Sequence, residues 1–316
     1  MKLLLTGGCG YIGTLLAAKL LADGHDVTVV DTKWFGDHLK RHARLQVLQA
    51  DVRNVDAIPM KGIEAILHLA NVANDPCGEL DSKLTWEVNV LASKLLVERA
   101  IEHGVRQFIY ASSGSVYGVK EEDEVTEELS LVPISDYNKT KMISERVLLS
   151  YADQILVQCV RPATVCGLSP RMRLDLSVNM LTMQALANGR ITVFGGDQTR
   201  PNIHIRDMVR VYQHFLAKGD AIRGVFNAGF ENLSIMEIAE RVTETAPAEI
   251  VVTESDDPRS YRLSSCKLLA TGFEPAYTVQ DGIDEVAEAF RSGQLTDDPG
   301  CYNIKTMNRV MSNGGA

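Results

Sequence analysis

The feature that most constrains the fold is a glycine-rich turn at the start of the chain, in "KLLLTGGCGYIGTLLAAKLL". Gly7, Gly10 and Gly13 lie between an apolar run typical of a buried strand and a segment with helical apolar spacing. Glycine has no Cβ, so the backbone can turn tightly there and approach a pyrophosphate closely. The helix that follows offers N–H groups and its positive dipole end to an anion. The turn therefore predicts a dinucleotide-binding unit, although a tight turn without a ligand could carry the same glycines.

The next apolar run ends in Asp31, about twenty residues beyond the turn. A carboxylate at this position accepts hydrogen bonds from an adenosine ribose and repels a 2′-phosphate, which favours NAD over NADP. Asp51, at the end of the third strand-like run, is a candidate for the adenine edge of the site. Each acid also fits a simpler interpretation, in which it only ends a strand or lies in a surface loop.

Strand-like and helical segments alternate from the first residue onward. Strands are predicted over residues 2–6, 25–31, 45–51, 65–70, 107–113 and 155–161, and helices over 11–23, 84–102 and from 137 onward. Alternation of this kind, with near-continuous apolar strands, predicts an α/β fold. Its architecture is expected to be a Rossmann-type doubly wound parallel sheet with helices on both faces.

The pattern loosens after Arg161, where shorter strands are mixed with helices. We therefore predict an NAD-binding domain over residues 1–165 and a smaller α/β carboxy-terminal substrate lobe over residues 166–316. Part of this lobe is expected to return to the main sheet. The stretch after Gln294 shows no clear periodicity and is expected to be a tail.

Composition argues against several classes of function. The formal net charge of −9 argues against a nucleic-acid partner, because phosphate backbones are bound by basic faces. No apolar run approaches the roughly 20 residues that span a bilayer, and the amino terminus lacks a signal-peptide pattern, so a cytoplasmic protein is expected. The six cysteines and seven histidines show no metal-ligand spacing, so no metal site is expected.

A second candidate site lies in "SDYNKTKMISE", where Tyr137 and Lys141 are four residues apart near a predicted helix start. Residues at this spacing lie on the same face of a helix. Such pairs are common by chance. Spacing alone therefore does not separate a catalytic pair from two ordinary surface side chains.

Other motifs support the catalytic interpretation. The glycine spacing is GxxGxxG, and it is followed in order by "HLA" at 68–70, "SSGSVYG" at 112–118, "YNKTK" at 137–141, "RPATVCG" at 161–167 and "RPNIHIRDM" at 200–208. Together these motifs resemble the extended short-chain dehydrogenase/reductases, and within them the nucleotide-sugar epimerases and dehydratases. The resemblance extends over most of the chain, to the predicted helix that ends near Phe290. It implies NAD as cofactor, a nucleotide-diphosphate sugar as substrate, and a homodimer or higher homo-oligomer.

The resemblance assigns roles to four residues. Tyr137 is expected to take the proton of a sugar hydroxyl as its hydride leaves, because this oxidation needs a general base. Lys141, helped by the charge of oxidised nicotinamide, is expected to lower the pKa of that phenol and to hydrogen-bond the nicotinamide ribose. Ser113 is expected to hydrogen-bond the reacting oxygen, and Asn89 to lie beneath the lysine. Asn89 also fits a helix-interior residue satisfied by backbone groups.

The predicted binding sites include further residues. The cofactor is expected to contact Gly7, Gly10, Tyr11, Ile12, Gly13, Asp31, Asp51, Val52, Leu69, Ala70, Asn71, Asn89, Ala111, Tyr137, Lys141, Pro162 and Thr164. The substrate is expected to contact Ser113, Ser115, Tyr137, Thr164, Asn179, Arg171, Arg200 and Arg259. The arginines suit a diphosphate because guanidinium groups bind phosphate oxygens in a bidentate manner. A solvated helix start is the alternative for Arg171, and a surface salt bridge for Arg200 and Arg259.

The residues after Ser113 narrow the expected reaction. Related 4,6-dehydratases carry Asp-Glu at the positions of Gly114 and Ser115, UDP-xylose-forming decarboxylases a glutamate at Ser115, and 3,5-epimerising relatives a cysteine there. The chain has none of these groups, so chemistry confined to C4 is expected, by a 4-epimerase or a 4-dehydrogenase. The alternatives are a 4,6-dehydratase, a 4-keto reductase, or a non-catalytic NAD-binding regulator. The run "SPRMRLD" is similar to that of GDP-heptose 4-dehydrogenase-like enzymes, and the nucleotide and the sugar stay open.

Overall fold

The computed structural model describes residues 1–255 and 260–312. These residues form twelve strands: β1 Lys2–Thr6, β2 Asp26–Asp31, β3 Leu45–Gln49, β4 Ala65–His68, β5 Gln107–Ala111, β6 Leu156–Pro162, β7 Thr164–Cys166, β8 Arg190–Phe194, β9 Thr199–His204, β10 Gly224–Ala228, β11 Glu231–Ser234 and β12 Glu249–Thr253. Seven of them make one parallel sheet in the order β10-β6-β5-β4-β1-β2-β3. The predicted doubly wound parallel sheet is confirmed.

The same residues form eleven α-helices: α1 Tyr11–Ala22, α2 Asp75–Leu80, α3 Ser82–Trp86, α4 Ala92–Glu102, α5 Asp136–Leu149, α6 Ser177–Asn188, α7 Ile205–Lys218, α8 Ile235–Thr245, α9 Cys266–Leu269, α10 Val279–Arg291 and α11 Asn303–Ser312. The helix predicted over residues 84–102 consists of α3, a π-helical turn over Glu87–Leu91, and α4. No helix among the described residues is both long and apolar enough to cross a bilayer.

The main sheet is buried on both faces because successive side chains of each strand point to opposite sides. On β1, Leu3 and Leu5 pack into a core with residues of α1 and α7, whereas Leu4 packs into a second core with residues of α4. Every residue of β4 and β5 is buried. The loops at the carboxyl edge of the sheet therefore emerge between two fixed helical layers, where open α/β sheets bind their ligands.

The carboxy-terminal part of the chain adds two small sheets, β11-β9-β7 and β12-β8. Helices α6, α8 and α10 pack with β8 around a third core that contains Ile191 and Val193. β10 leaves this part and pairs in parallel with β6 at the edge of the main sheet. The expected return to the main sheet is confirmed, and the boundary at residue 165 stays a prediction.

The expected tail after Gln294 is wrong. A 3₁₀ turn over Pro299–Cys301 leads into α11, and Met307 on that helix is only 2% exposed. Ile304 and Met311 pack against the same core as Met307, which is the core that Leu4 and α4 share. The apolar spacing of α11 spans only ten residues, which is too short to stand out in the sequence, and the helix is stabilised by this tertiary contact.

Candidate active site

A cavity of about 380 Å³ lies at the carboxyl edge of the main sheet. Most predicted site residues line it: Gly7, Gly10, Tyr11, Ile12, Gly13, Asp31, Asp51, Val52, Leu69, Ala70, Asn71, Ala111, Ser113, Ser115, Tyr137, Lys141, Pro162, Thr164 and Arg171. Asn89, Asn179 and Arg200 are not among its lining residues, and Arg259 lies outside the described residues. The fold therefore brings the glycine turn and the tyrosine–lysine pair to one cavity.

The glycine turn has the geometry that its sequence predicts. Gly7 has a φ of 73°, and a Cβ at that position would approach the backbone nitrogen of Ala70 to 2.6 Å. A Cβ on Gly13 would come within 2.2 Å of the carbonyl oxygen of Gly7. Gly10 is the N-cap residue of α1, and no side chain caps that end of the helix. The amino end of α1 is thus available to an anion, and the residues present fit a dinucleotide pyrophosphate.

Asp31 connects the glycine turn to the loop that follows β2. Its carboxylate accepts hydrogen bonds from the backbone nitrogens of Cys9 (2.9 Å) and Lys33 (2.7 Å). Burial raises the pKa of Asp31, and these two hydrogen bonds oppose the rise. A carboxylate has more acceptor sites than these two bonds use, so Asp31 keeps acceptor capacity on the cavity side. Asp51 also lines the cavity, but its carboxylate is paired with Arg53 at 2.7 Å.

Tyr137 and Lys141 lie on the first turns of α5, which Ser135 caps by accepting a hydrogen bond from the backbone nitrogen of Asn138. Lys141 is 1% exposed, and its Nζ donates to the carbonyl oxygen of Ala111 at 2.7 Å. The same Nζ lies 5.9 Å from the centre of the Tyr137 ring. The two side chains therefore share one face of the helix at the cavity.

The pKa of Tyr137 shifts in the direction opposite to the one expected. Burial raises it to about 12, and a hydrogen bond with Ser113 only partly offsets that rise. Burial also lowers the pKa of Lys141 to about 7, so near neutral pH this lysine is only partly protonated. Burial is the largest cause of this rise, and Ser113 and Arg173 are the groups that lower the pKa, whereas Lys141 is not among them. The expected acidification of the phenol by Lys141 in the NAD-bound enzyme therefore stays a prediction. The positive charge of oxidised nicotinamide has to supply the remaining stabilisation of a phenolate.

The low pKa of Lys141 predicts a pH-dependent stability. In the folded state the lysine titrates near 7 and in the unfolded state near 10.5, so between these values the unfolded chain binds the extra proton. The contribution of Lys141 to the free energy of unfolding then rises with pH across this window. We expect the difference in unfolding free energy between wild type and Lys141→Met to shift in favour of wild type from pH 7 to pH 10. Urea unfolding at several pH values measures this difference, and a constant difference would refute the assigned pKa.

A chain of hydroxyl groups leads away from Tyr137. Ser113 and Ser115 lie 2.7 Å apart at their Oγ atoms, and Ser115 donates to the side-chain oxygen of Asn138. Ser113 also caps the 3₁₀ turn over Gly114–Tyr117, which fixes its position beside the phenol. Ser113 is therefore held where the reacting oxygen is expected.

Asn89 links the loop after β4 to helix α5 by hydrogen bonds. It lies in the π-helical turn, and its amide accepts from the backbone nitrogen of Val72 (2.8 Å) and donates to Thr140 (3.0 Å). Its carbonyl oxygen accepts a hydrogen bond from Ser144 at 2.7 Å. Thr140 and Ser144 flank Lys141 on α5, so Asn89 fixes the helix turn that carries the lysine. A catalytic role for Asn89 stays a prediction.

Two predicted substrate residues lie apart from the cavity wall. The amide of Asn179 is fully buried and bonds the backbone nitrogen of Gly167 (2.9 Å), the hydroxyl of Tyr11 (3.0 Å) and the carbonyl oxygen of Arg173 (2.9 Å). This position favours a structural role for Asn179. Arg200 is half-buried on β9, and one of its guanidinium nitrogens donates to the carbonyl oxygen of Thr199. Substrate contacts by either residue stay predictions.

Comparison with known proteins agrees with this geometry. The model of the family described as "NAD dependent epimerase/dehydratase family" matches residues 3–229. The chain belongs to this family. A UDP-glucose 4-epimerase of Corynebacterium glutamicum is 29% identical over an alignment 318 residues long. The alignment covers 92% of this chain and 96% of that protein. The match extends over most of both proteins, and NAD is the cofactor of this chain.

Solved structures of the epimerase/dehydratase family share the fold. UDP-glucose 4-epimerase from Thermotoga maritima, solved with UDP-glucose, has a TM-score of 0.85 at 26% identity and covers 93% of this chain and 100% of its own. MoeE5, solved with UDP-glucuronic acid and NAD, has a TM-score of 0.83 at 26% identity with the same coverage. The fold and cofactor of this family member are therefore established.

In this epimerase/dehydratase family member, a buried ion pair behind Lys141 was missed by sequence reasoning. Arg161 donates to both carboxylate oxygens of Glu145, with a shortest distance of 2.6 Å, and the two side chains are 5% and 2% exposed. Ser112 donates to the same carboxylate. Glu145 lies one helical turn after Lys141, and its charge raises the pKa of that lysine against the effect of burial. The i,i+4 spacing places Glu145 on the same helix face as Lys141, but nothing in the sequence pairs Glu145 with Arg161.

Proposed function

We propose that this enzyme is a 4-epimerase that acts on a nucleotide-diphosphate sugar, with UDP as the favoured nucleotide. The observation that carries the proposal is the convergence of Tyr137, Ser113 and Lys141 on the cavity that contains the glycine turn. A relative and a solved neighbour named UDP-glucose 4-epimerase support it. The same side chains could also oxidise C4 in an enzyme that releases the 4-keto sugar and does not return the hydride. A 4-dehydrogenase is therefore the alternative.

The three side chains divide the work of C4 oxidation. Tyr137, as a phenolate, removes the proton of the C4 hydroxyl while Ser113 donates a hydrogen bond to that oxygen. Bound NAD⁺ supplies the acceptor for the hydride that leaves C4. The sugar is then a 4-keto sugar, and Tyr137 carries the proton. In the reverse half, Tyr137 would return its proton to the C4 oxygen, and the bound dinucleotide would supply the hydride to the opposite face of the ring. Lys141 stabilises the phenolate in both halves.

Ser115 and Gly114 support chemistry confined to C4. The Ser115 hydroxyl is engaged with Ser113 and Asn138, and Gly114 has no side chain. These are the two positions at which dehydratases of similar sequence carry acidic groups. Removal of the C5 proton therefore has no acid–base side chain at either position.

The proposal is tested by incubating the purified enzyme with UDP-, dTDP- and GDP-hexoses and following the products by proton NMR. A 4-epimerase gives the C4-inverted sugar without net formation of NADH. Equimolar NADH and a 4-keto sugar would establish the dehydrogenase instead, and a dehydrated product would refute chemistry confined to C4. Cofactor analysis of the same preparation is expected to find retained NAD, because an epimerase needs its hydride back.

A second candidate substrate is a nucleotide-linked hexuronic acid, and Arg173 favours it. Arg173 lines the cavity, is anchored by Asp175 at 2.9 Å, and lowers the pKa of Tyr137 through its charge. Its charge therefore acts in the same cavity as the phenol. A guanidinium there suits the C5 carboxylate of a uronic acid, and MoeE5 is solved with UDP-glucuronic acid.

Arg173→Met separates the two candidate sugars. We expect the KM for UDP-glucuronic acid to rise by about 10- to 100-fold, the value of a charge-assisted hydrogen bond, with little change for UDP-glucose. Arg206→Met, which removes a half-exposed arginine on α7, is the matched control and should change neither KM. Steady-state kinetics with both sugars measure the effect. An equal rise in KM for the two sugars would refute recognition of a carboxylate. A fall in kcat that both sugars share would not, because the Arg173 charge also acts on Tyr137.

A further inference from the structure

The loop after β7 crosses the amino end of α1. Ser169 donates to the carbonyl oxygen of Tyr11 at 2.7 Å, and its Oγ lies 3.0 Å from the hydroxyl oxygen of Thr14. The Tyr11 hydroxyl in turn donates to the carbonyl oxygen of Gly167 at 2.6 Å. Residues 167–169 are therefore fixed against the first turn of α1, where the pyrophosphate of a dinucleotide binds.

Arg171 follows this fixed segment and lines the cavity, although only 3% of its surface is exposed. Its guanidinium lies 4.1 Å from the centre of the Phe35 ring. Phe35 lies in the loop that follows β2, the strand that Asp31 ends. The positive charge of Arg171 also opposes the rise in the pKa of Asp31. The side chain thus lies on the side of the cavity that Phe35 and Asp31 line.

Arg171 is a cation with unused donors. One terminal nitrogen donates to the side-chain oxygen of Asn303 at 2.5 Å, whereas Nε is buried and has no hydrogen-bond partner among the described residues. The nearby Asp175 is engaged by Arg173. Burying a guanidinium without a carboxylate partner is costly, and an anionic ligand would remove that cost.

The carboxy-terminal segment holds Arg171 in place. The backbone nitrogen of Leu174 donates to the carbonyl oxygen of Cys301 at 2.9 Å, and the backbone nitrogen of Asn303 donates to Asp175 at 3.2 Å. Asn303 is 4% exposed and lines the same cavity. The matched family model ends at residue 229, so this support lies beyond the part of the chain that the model describes.

We propose that Arg171 binds the pyrophosphate of NAD, and that Phe35 and Asn303 position it, so that residues 299–312 complete the cofactor site. Arg171 then belongs to the cofactor and not, as its sequence motif predicts, to the substrate. The inference depends on NAD binding and not on which sugar reacts. Its failure is therefore separable from failure of the proposed function.

The test compares wild type with Arg171→Met for binding of NAD⁺, ADP-ribose, adenosine and UDP by calorimetry. We expect the Kd values of NAD⁺ and ADP-ribose to rise by about 10- to 100-fold, as loss of charge-assisted hydrogen bonds to a phosphate predicts, with adenosine and UDP unchanged. Asn303→Ala should also raise the Kd of NAD⁺, by a smaller factor. Arg223→Met, at an exposed ion pair, is the control and should change nothing.

Two results would overturn the proposal. The first is an unchanged Kd for NAD⁺ in Arg171→Met, and the second is a loss that falls on UDP instead. If Arg171→Met does not fold, Arg171→Lys keeps the charge but loses the planar fork, and it should weaken NAD⁺ binding while leaving adenosine unaffected. If that folded variant and Asn303→Ala both bind NAD⁺ with wild-type affinity, the assignment is also contradicted.

Discussion

Tyr137→Phe is expected to lower kcat by about 10²- to 10⁴-fold, the range that a general acid–base contributes. Phenylalanine keeps the ring that packs beside Lys141 but cannot accept the proton of the C4 hydroxyl. NAD binding should persist, because the glycine turn and Asp31 are untouched. Single-turnover formation of NADH from the UDP-sugar, monitored by absorbance, measures the step directly.

Tyr151→Phe is the matched control for this variant. Tyr151 follows α5, and its hydroxyl donates to Glu98 at 2.7 Å; neither residue lines the cavity. Its loss should leave kcat unchanged. A Tyr137→Phe enzyme with wild-type turnover would show that another group takes the proton.

Arg161→Met is expected to reduce the free energy of unfolding by about 3–5 kcal/mol, because it leaves the buried Glu145 carboxylate without its partner. The pair lies in the core between α5 and β6, and Arg161 also donates to the hydroxyl of Tyr117 at 2.7 Å. Urea unfolding followed by circular dichroism measures the loss.

The double variant Arg161→Met with Glu145→Leu separates lost charge compensation from lost packing. Removing both partners of a buried pair is often close to neutral, so the double variant should recover much of the stability. Arg223→Met removes an exposed partner of Asp220 and should have no measurable effect. A double variant that is less stable than Arg161→Met would show that packing, not the uncompensated carboxylate, causes the loss.

The sheet and the cofactor turn could be predicted because both depend on local signals. Apolar runs such as that of β5 must lie in a buried parallel strand, and only glycine fits the backbone at Gly7. The catalytic pair was predicted from its spacing together with the motifs around it. These signals lie within short segments of the chain.

The remaining features depend on contacts between distant segments. Arg161 and Glu145 look like ordinary charged residues until β6 and α5 bury them together. Asn303 joins Arg171 across more than a hundred residues of sequence, in a helix too short to be recognised by its periodicity. The pKa of Tyr137 depends on how deeply the fold buries it, and no sequence pattern encodes that depth.

The central claim is that Tyr137 becomes a phenolate beside Lys141 when the dinucleotide is bound. Titrating tyrosinate absorbance of the NAD⁺-bound enzyme, with Tyr137→Phe as the reference, tests it most directly. We expect the wild-type enzyme to contain one tyrosine that ionises well below the ordinary pKa of about 10 and that is missing from the variant. Identical titration curves for the two proteins below that pH would contradict it.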